Sequence, residues 1–482
     1  MTSRRATITT TATIVLVLGG LVTWLWRGDV ADLDMAKVTG SDPVIEEEAS
    51  PETFPTIVIA RPVGWEAGEA PVAPKGFKVT RFAEGLVHPR TMLTLPNGDV
   101  VVALTNAPPG DKPSGITGRV MMWLMDRAGA LVPSPDKIVL LRDADGDGKA
   151  ESRYVLKDGL NSPSGLGYRD GRLLVADNDM LLSFPYQLGA TSITAKPYKL
   201  MDLPAGGYHW MRNLAVSPDG KSVFVAVGSA SNIGENGMAE EKGRAAIWEY
   251  DFTSRKPRQY AGGMRNPNGL DFNPATGELW ATVNERDMLG SDLVPDYLTN
   301  VPIGAQYGWP WAYWKDKMDI RVQEPVPEYF TEYTRRPEYA LGPHVAALGL
   351  TFTREGHRMG AAFGRGAFIA RHGSWNRRPL SGYDVIFVPF DENGNPSGPP
   401  QQVLSGFLTG KGTTHGRPTW VAWDKTGALL VSDDTAGIIW RVEAPGAKPA
   451  PAPKVVKVAP IPPRRELKGD GTIKFGKDFI EQ

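Results

Sequence analysis

The sequence predicts an all-β fold, a six-bladed β-propeller with an N-terminal transmembrane anchor, and three observations support the propeller. A glycine-containing turn, typically Asn-Gly, Asp-Gly or Thr-Gly, followed by a short strand with alternating apolar residues, occurs six times. Helical periodicity is scarce along the chain. Glycine and proline, at 54 and 41 residues, supply the many turns that such a fold needs. Repeated antiparallel units with this many turns favour a propeller over a sandwich.

The six turn-and-strand units set the blade count. Their sequences are PNGDVVVAL, RDGRLLVAD, PDGKSVFVAVG, ATGELWATV, GRGAFIARHG and KTGALLVSDD. Each one marks a hairpin turn that leads into a strand of period two. The long spacers between them, above all residues 285–364, are predicted to be loops over one face of the propeller. Rigid blades hold such loops around a central channel, so functional residues are expected there.

The N-terminus predicts a membrane anchor over residues 1–28. Arg4 and Arg5 precede ATITTTATIVLVLGGLVTWLW, an uncharged run long enough to cross a bilayer. The basic end is expected to stay in the cytoplasm. The rest of the chain would then be periplasmic and anchored to the inner membrane. A cleaved signal peptide, which would release a secreted protein, is the alternative.

Composition divides the remainder into three parts. Residues 29–74 are acidic and proline-rich, which predicts a linker between the anchor and the globular body. Residues 75–445 contain all six units and are predicted to form the propeller domain. Residues 446–482 are again proline-rich and are expected to form an extended C-terminal tail.

Charge and cysteine content exclude several function classes. The net charge of 482 residues is -1, so no overall basic field is available to bind nucleic acid. The chain has no cysteine. Disulfides, thiolate nucleophiles and cysteine-ligated metal centres are therefore excluded.

Three polar side chains stand just ahead of predicted strands. The imidazole of His209 has the pKa range of a general base, although a structural hydrogen-bonding role is the alternative. Arg265 and Asn266 place a planar guanidinium beside a carboxamide, which suits a flat, anionic ligand that bears carboxylates and carbonyls. Their alternative is a turn in which the asparagine caps its own backbone and the arginine pairs with a carboxylate.

Four blocks of sequence resemble a known family. GYHWMRNLAVSPDGKSVFVAVGS, GMRNPNGLDFNPATGEL, NERDMLGSDLVPDYLTNVPIGAQYGWPW and GRPTWVAWDKTGALLVSDDTAGIIWRV occur in the order found in the glucose/sorbosone dehydrogenases, which are soluble enzymes that use pyrroloquinoline quinone (PQQ). ARHGSWNRRPLSGYDVIFVPF resembles the L-sorbosone dehydrogenase branch most. The likeness covers about residues 88–442. It implies a propeller that holds PQQ and Ca²⁺ on one face.

The resemblance also implies roles for particular residues. His209 matches the base that takes the proton of the substrate hydroxyl while hydride moves to the quinone. The residues that match cofactor-binding positions are Arg265, Asn266 and Arg417. The carbonyls that bind calcium fall near Asp287 and Met288, and the side chain of Glu285 or Asp287 could add an oxygen ligand.

The sequence departs from the family at three positions of the site. Ser229 stands where a carboxylate orients the base, and a hydroxyl stabilises an imidazolium less. Thr419 stands where the family has a second arginine. The family lysine falls within RHGSWNRR, where His372, Arg377 or Arg378 are the candidates to replace it. Cofactor geometry and substrate are therefore expected to differ from those of the soluble sugar enzymes.

A second metal site is predicted in DADGDGKAE. Asp143, Asp145 and Asp147 alternate ahead of Gly148, like the first half of an EF-hand loop. The twelfth position is a tyrosine and not the usual glutamate, but Glu151 could close a shorter loop. An acidic, solvated turn without a metal is the alternative.

These features together predict a PQQ-dependent dehydrogenase that oxidises an aldose or an aldehyde, sorbosone-like, to a lactone or acid. The expected cofactors are PQQ and Ca²⁺. A membrane quinone or a cytochrome is the expected electron acceptor. Two alternatives remain: a calcium-dependent propeller hydrolase of the gluconolactonase type, and a non-catalytic binding propeller.

Overall fold

The structure is a computed structural model that describes residues 28–52, 54–108, 115–410 and 412–456. Six antiparallel sheets follow one another along the chain. The first strand of each sheet packs against the first strands of its two neighbours, and the sixth sheet meets the first. This closed ring confirms the six-bladed propeller that the sequence predicts.

Three strands precede the first complete blade: β1 (Thr39–Gly40), β2 (Arg61–Pro62) and β3 (Lys78–Ala83). Blade 1 comprises β4 (Pro89–Thr94), β5 (Val100–Leu104), β6 (Lys137–Arg142) and β7 (Ser152–Lys157). Blade 2 comprises β8 (Gly165–Arg169), β9 (Arg172–Ala176), β10 (Met180–Pro185) and β11 (Tyr198–Asp202). Blade 3 comprises β12 (Leu214–Val216), β13 (Ser222–Val227), β14 (Ala246–Asp251) and β15 (Lys256–Gly262).

Blade 4 comprises β16 (Asn266–Phe272), β17 (Leu279–Asn284), β18 (Pro295–Asn300) and, after a short hairpin of β19 (Ala312–Tyr313) and β20 (Lys317–Met318), β21 (Tyr339–Pro343). Blade 5 comprises β22 (Ala347–Phe352), β23 (Gly366–Arg371), β24 (Asp384–Pro389) and β25 (Gln401–Leu404). After β26 (Thr413–Thr414), which pairs with β2, blade 6 comprises β27 (Pro418–Trp423), β28 (Leu429–Asp433) and β29 (Ile438–Glu443). The helical elements are α1 (Gly115–Arg127), α2 (Phe330–Tyr333) and a 3-10 turn (Ala361–Phe363).

The six turn-and-strand units of the sequence all become the second strand of a blade. Each turn joins the first strand to the second, and the second strand lies between two partners. All residues of β5, β13, β17 and β23 are buried. A strand covered on both faces needs an apolar run without polar alternation. The buried units therefore repeat most clearly in the sequence.

Six apolar clusters hold the blades together, and each lies between two adjacent blades. The cluster between blades 4 and 5, for example, packs Trp280 against Phe352 and Phe390, with ring centroids 6.1 and 5.0 Å apart. Glycines on the first strands let neighbouring blades approach. A Cβ at Gly269 would lie 2.3 Å from the carbonyl oxygen of Leu348 on the next blade. A larger residue there would force the two strands apart.

Strand β3 closes the ring. It pairs antiparallel with β29 and so supplies the fourth strand of blade 6 from the N-terminal side of the propeller. Because residues from both ends of the domain share one blade, the ring cannot open without breaking this pairing. The upper face of the propeller is defined here as the face where the first strands begin and the second strands end.

The described residues of the predicted linker, 29–52 and 54–74, pack against the propeller. Strand β1 adds a fifth strand to blade 4 by pairing with β21, and Val38 is fully buried. Further along, Glu52 N donates to Met288 O at 3.1 Å and Val58 N donates to Trp375 O at 2.9 Å. The segment thus crosses loops of the upper face, and its hydrogen bonds fix it there.

The described part of the predicted C-terminal tail, residues 446–456, contacts the opposite face. Ala450 N donates to His357 O at 2.9 Å, and Val456 N donates to Ala275 O at 2.8 Å. No helix within the described ranges is long and apolar enough to cross a membrane. The predicted anchor over residues 1–28 lies, except for Gly28, outside the described residues.

Candidate functional site

The upper face brings most of the predicted site residues together. His209 lies ahead of β12, Arg265 directly precedes β16, and Arg417 directly precedes β27. Asp287 follows β17, where the second strand of blade 4 ends. Because first strands begin and second strands end at this face, residues far apart in sequence converge around the central channel.

The hydrogen bonds of His209 define its tautomer. Its Nδ1 lies 2.9 Å from the carbonyl oxygen of Ser229 and 3.0 Å from the hydroxyl of the same residue. A carbonyl oxygen can only accept, and the Ser229 hydroxyl already donates to Ser231 O at 2.6 Å. Nδ1 therefore carries the hydrogen. Nε2 is left with its lone pair and makes no hydrogen bond to a described residue.

The surroundings of His209 keep it neutral. Burial lowers the pKa of His209 to about 3, and the guanidinium of Arg265 acts in the same direction. Both causes disfavour a positive charge on the ring. Ser229, whose hydroxyl lies 3.0 Å from Nδ1, adds no compensating negative charge. The imidazole is consequently a neutral proton acceptor over the ordinary pH range.

The guanidinium of Arg265 connects several parts of the site through hydrogen bonds. Its guanidinium donates to Asn232 O at 3.1 Å, Asn232 Oδ1 at 2.8 Å, Glu285 O at 2.5 Å and the Asp287 carboxylate at 2.9 Å. Four of its five N–H groups are therefore used, and one on Nη1 remains for a ligand. The carbonyl oxygen of Arg265 accepts from Ser229 N at 2.7 Å. That bond ties the arginine to the segment that orients His209.

Asp287 connects Arg265 to a second histidine. Its other carboxylate oxygen lies 3.3 Å from Nδ1 of His344, whose Nε2 lies 3.0 Å from Gly290 O. Burial raises the pKa of Asp287, but the charges of Arg265 and His344 outweigh it and the pKa ends below its ordinary value. Burial likewise lowers the pKa of His344, and Asp287 reverses that direction. The pair thus favours a carboxylate facing a protonated imidazole.

Asn266 lies beside His209 in a chain of carboxamides. A Cβ at Gly228 would lie 2.4 Å from Asn266 Oδ1 and 2.5 Å from the Cβ of His209, so only glycine leaves room for both. Asn266 Nδ2 donates to Asn284 Oδ1 at 3.2 Å, and Asn284 Nδ2 contacts Asp296 at 3.4 Å. Burial raises the pKa of Asp296 to about 7. The amide oxygen of Asn266 stays available to a ligand.

Arg417 belongs to a second cluster on the same face. Its Nε and Nη2 donate to His372 O at 3.0 Å and Gly373 O at 2.9 Å, and no bond to a described residue uses Nη1. His372 Nε2 lies 3.0 Å from the Asp434 carboxylate. Burial and the nearby Arg417 lower the pKa of His372 to about 4. Arg417 therefore has open donors beside a neutral histidine.

Three residues of this cluster were not predicted from the sequence: His88, Arg90 and Asp434. Arg90 pairs with Asp434 at 2.5 Å, and its Nη2 donates to the sulfur of Met211 at 3.0 Å. Within the described residues, Nε of Arg90 and Nδ1 of His88 have no hydrogen-bond partner although both are buried. Burial raises the pKa of Asp434, but His372 and Arg90 outweigh it and hold the pKa well below its ordinary range.

Arg377, a predicted cofactor ligand, has other partners. Its Nη2 lies 3.2 Å from the Asp292 carboxylate, its Nη1 donates to Pro379 O at 2.8 Å, and both side chains of the ion pair are almost fully buried. Its hydrogen bonds to described residues do not include one to His209, Arg265 or Arg417. The structure brings His372, and not Arg377, next to Arg417. Binding of the cofactor by Arg377 is therefore not supported by this arrangement.

The metal predicted at Glu285, Asp287 and Met288 does not fit the structure. The Met288 carbonyl oxygen accepts from Arg321 at 2.9 Å and from Glu52 N at 3.1 Å. The Asp287 carbonyl oxygen accepts from Arg321 at 3.0 Å and from Asn232 at 3.1 Å. A carbonyl oxygen has two lone pairs, so neither of these two carbonyls has a lone pair left for a metal ion. Glu285 is paired with the buried guanidinium of Arg286 at 3.1 Å, so no open set of oxygen ligands remains among these described residues.

The predicted loop over residues 143–151 does bring its carboxylates together. One oxygen from each of Asp143, Asp145, Asp147 and Glu151 lies within 4.8 Å of the others. Backbone N–H groups also point at them, such as Gly148 N at 3.2 Å from Asp143. Exposed acidic turns share such bonds, so a structural calcium here stays a prediction. A calcium titration of the thermal unfolding temperature, compared with Asp145→Asn, would test it.

Glu241 and Trp309 make further hydrogen bonds that stabilise the site. Glu241 accepts from Ala230 N at 2.7 Å and from the Ser231 hydroxyl at 2.5 Å, which fixes the turn that positions the Ser229 carbonyl. Trp309, from the aromatic cluster of residues 307–314, donates to Asn232 O at 2.9 Å. Most of that cluster fills the core between blades 3 and 4.

The polar groups of the upper face that lack a described partner indicate which kind of ligand would fit. Arg417 Nη1, one N–H of Arg265 and the unpartnered Nε of Arg90 are donors with charge, and the Asn266 amide is polar without charge. A planar molecule with several carboxylates and carbonyls would satisfy them. The free Nε2 of His209 lies on the same face, near Arg265, as a proton acceptor.

Comparisons with known proteins agree with this description. A family model described as TrAA12-like matches residues 71–302 and 328–445. The PQQ-dependent pyranose dehydrogenase of Coprinopsis cinerea is 25% identical over 437 residues, covering 78% of this chain. The match spans only 55% of the length of that enzyme.

Two solved structures share the fold. The structure described as the calcium structure of Trichoderma reesei carbohydrate-active enzyme family AA12 has a TM-score of 0.63, is 18% identical, and covers 78% of this chain and 97% of its own. The holo form of the PQQ domain of the C. cinerea pyranose dehydrogenase has a TM-score of 0.60, is 19% identical, and covers 80% and 100%.

Proposed function

Because the chain belongs to the TrAA12-like family, we propose that it is a PQQ-dependent oxidoreductase of the sugar dehydrogenase type. The observation that carries the proposal is the free, neutral Nε2 of His209. Its Nδ1 donates to the Ser229 carbonyl at 2.9 Å, so a neutral Nε2 stands free beside the guanidinium of Arg265. A relative with a PQQ-dependent activity, the C. cinerea pyranose dehydrogenase, supports the choice of cofactor.

The residues that would hold PQQ are Arg265, Asn266, Arg417 and Arg90. Their open donors and acceptors suit a flat tricarboxylate with carbonyl groups. When bound, PQQ supplies a two-electron acceptor for the hydride of the substrate. Calcium is the second proposed cofactor, supported by the AA12 structure described with it. Its candidate place in this chain is the loop of Asp143, Asp145, Asp147 and Glu151.

The role proposed for His209 is that of general base. Nε2 would accept the proton of the substrate hydroxyl while hydride leaves the carbon that bears this hydroxyl. As the ring becomes positive, the Ser229 carbonyl would accept a stronger hydrogen bond from Nδ1–H. Glu241 keeps that carbonyl in place through the turn of residues 229–231. The Arg265 charge opposes protonation of the ring, so proton release after the reaction is favoured.

For the substrate we propose an aldose or an aldehyde of the sorbosone kind, oxidised to a lactone or acid. The resemblance of ARHGSWNRRPLSGYDVIFVPF to the L-sorbosone dehydrogenases supports this class. A membrane quinone or a cytochrome is the proposed electron acceptor. The uncharged run after Arg5 supports a membrane-anchored, periplasmic location, which fractionation of cells that express the full chain would test.

Titration of the full-length protein with PQQ tests the proposed function. We expect PQQ to bind and then to support reduction of an artificial dye with sorbosone, glucose or simple aldehydes. Heat-denatured protein and protein without PQQ are the controls. A folded protein that neither binds PQQ nor reduces the dye would contradict the proposal. Lactone hydrolysis would then be measured, because a calcium-dependent hydrolase is the alternative.

The acid side of the pH profile is expected to be flat. His209 acts as a base in its neutral form, and with a pKa of about 3 it stays neutral from pH 8 down to pH 5. A solvent-exposed histidine would instead halve kcat/KM near pH 6.5, since the ordinary pKa of an imidazole lies there. The measurement is kcat/KM from initial rates across this range. A half-loss of wild-type activity near pH 6.5 would show that the site does not hold His209 neutral.

A further inference from the structure

We propose that Arg321 supplies, as a built-in guanidinium, the positive charge that a bound cation would otherwise supply beside the cofactor. The inference rests on the proposed function, since it concerns the binding of PQQ. It starts from a single nitrogen, Nη1 of Arg321, which contacts two consecutive carbonyl oxygens. Those oxygens belong to Asp287 and Met288, at 3.0 and 2.9 Å.

The geometry of Arg321 leaves no freedom at that nitrogen. Its Nε and Nη2 donate to the two oxygens of the Asp319 carboxylate at 2.9 and 2.8 Å, a fork-to-fork pairing. The side chain of Asp319 is fully buried, and a second arginine, Arg286, contacts it at 3.3 Å. Both hydrogens of Nη1 are thereby aimed at the two carbonyls. One cationic nitrogen thus bridges two oxygens, as a metal ion with carbonyl ligands would.

Neither carbonyl retains a lone pair for a metal. Each oxygen accepts one bond from Arg321 and one from another donor, namely Asn232 for Asp287 and the backbone N–H of Glu52 for Met288. A metal ion at this place would have to displace the guanidinium. The nearby carboxylates are also occupied, because three arginines at residues 265, 286 and 321 already pair with the carboxylates at residues 285, 287 and 319.

The place of Arg321 links it to the proposed cofactor site. Asn232, which shares the Asp287 carbonyl with Arg321, also accepts two bonds from Arg265, at 2.8 and 3.1 Å. Arg265 and Arg321 are therefore connected by hydrogen bonds through Asn232 and Asp287. Both guanidinium groups contact Asp287, Arg265 at the carboxylate and Arg321 at the carbonyl oxygen, so an anionic ligand bound to Arg265 would also be attracted by the charge of Arg321.

The test measures PQQ affinity with and without calcium. Full-length protein carrying Asp145→Asn, which removes a carboxylate of the separate acidic loop, is titrated with PQQ in EDTA and again in excess Ca²⁺, with fluorescence quenching as the readout. We expect the two dissociation constants to agree within about twofold, since Arg321 needs no metal. Binding that is lost in EDTA and restored by Ca²⁺ would overturn the inference and leave the proposed function standing. Binding under neither condition would overturn both.

Variants of Arg321 give the second arm. Arg321→Met frees both carbonyls, so we expect PQQ to bind at least about tenfold more weakly in EDTA and to regain affinity in Ca²⁺. Arg321→Lys keeps the charge and is expected to stay independent of calcium. Arg335→Met is the matched control, since Arg335 lies in the same long connection and pairs with Glu338 at 3.1 Å. An Arg321→Met protein whose affinity does not respond to calcium would also contradict the inference.

Discussion

Replacing His209 by asparagine is expected to lower kcat for PQQ-dependent oxidation by about 10²–10⁴-fold, the usual contribution of a positioned base. The asparagine Nδ2 can still donate to the Ser229 carbonyl, so the turn of residues 229–231 should keep its shape. What is lost is the proton acceptor at Nε2. PQQ affinity should change little, because Arg265, Asn266 and Arg417 are untouched. Steady-state kinetics together with PQQ titration separates the two effects.

His357 provides the matched control for this variant. Its exposed fraction is 3%, and burial lowers its pKa, as it lowers the pKa of His209. It lies, however, in the connection between β22 and β23, on the face opposite to the site. His357→Asn should therefore cost stability without changing kcat. If His209→Asn kept more than about a tenth of the wild-type kcat, His209 would not be the base and its role would be structural.

The propeller could be predicted because its signal is local. Each of the six turns joins the first two strands of a blade, and each second strand is an apolar run that is covered on both faces. Turn chemistry and burial act over about ten residues, so a single sequence shows them. The same reasoning locates much of the site, because a first strand precedes each turn. His209, Arg265 and Arg417 all stand at such beginnings.

The residues that were missed depend on contacts between distant parts of the chain. Arg90 and Asp434 pair across 344 positions, from the first and last blades, and only closure of the ring brings them together. His88 and Arg90 do stand at the start of a first strand. Position relative to the turn is therefore the signal that could have identified them. Asp434, by contrast, directly follows a second strand, which ends at Asp433, and no local pattern separates the two residues.

The metal prediction at Asp287 and Met288 failed for a related reason. The sequence shows the two backbone carbonyls, but the donor that occupies them, Arg321, comes from a connection whose conformation no turn or strand pattern fixes. The position of the predicted linker, residues 29–74, also depends on contacts with distant parts of the chain. Its composition suggests a tether, whereas its backbone N–H groups at Glu52 and Val58 bond to loops more than 200 residues away.

Two buried arginines make the clearest comparison between what the sequence suggested and what the structure shows. The resemblance assigns Arg265 to the cofactor and makes Arg377 one of three candidates to replace the family lysine. In the structure both are buried and both pair with an aspartate, Asp287 at 2.9 Å and Asp292 at 3.2 Å. Only Arg265 also reaches the segment that positions His209. Their variants should therefore share one effect and differ in another.

The shared effect is a loss of stability. Arg265→Met and Arg377→Met each leave a buried carboxylate without its guanidinium, which should lower the free energy of unfolding by about 3–5 kcal/mol. The loss at Arg265 should be the smaller one, because His344 still contacts Asp287 at 3.3 Å. Denaturant unfolding of both variants, compared with the wild type, measures this difference.

The effect that distinguishes them is PQQ affinity. Arg265→Met removes a charged donor from the site and is expected to weaken PQQ binding by about a hundredfold, as loss of one partner in a buried charged contact does. Arg377→Met should leave the dissociation constant within about twofold of the wild type, since its guanidinium is already occupied by Asp292 and Pro379. Titration at a temperature where both variants are folded gives the comparison. Equal weakening in the two variants would show that Arg377 does reach the ligand, and the sequence resemblance would then be the better guide to the site.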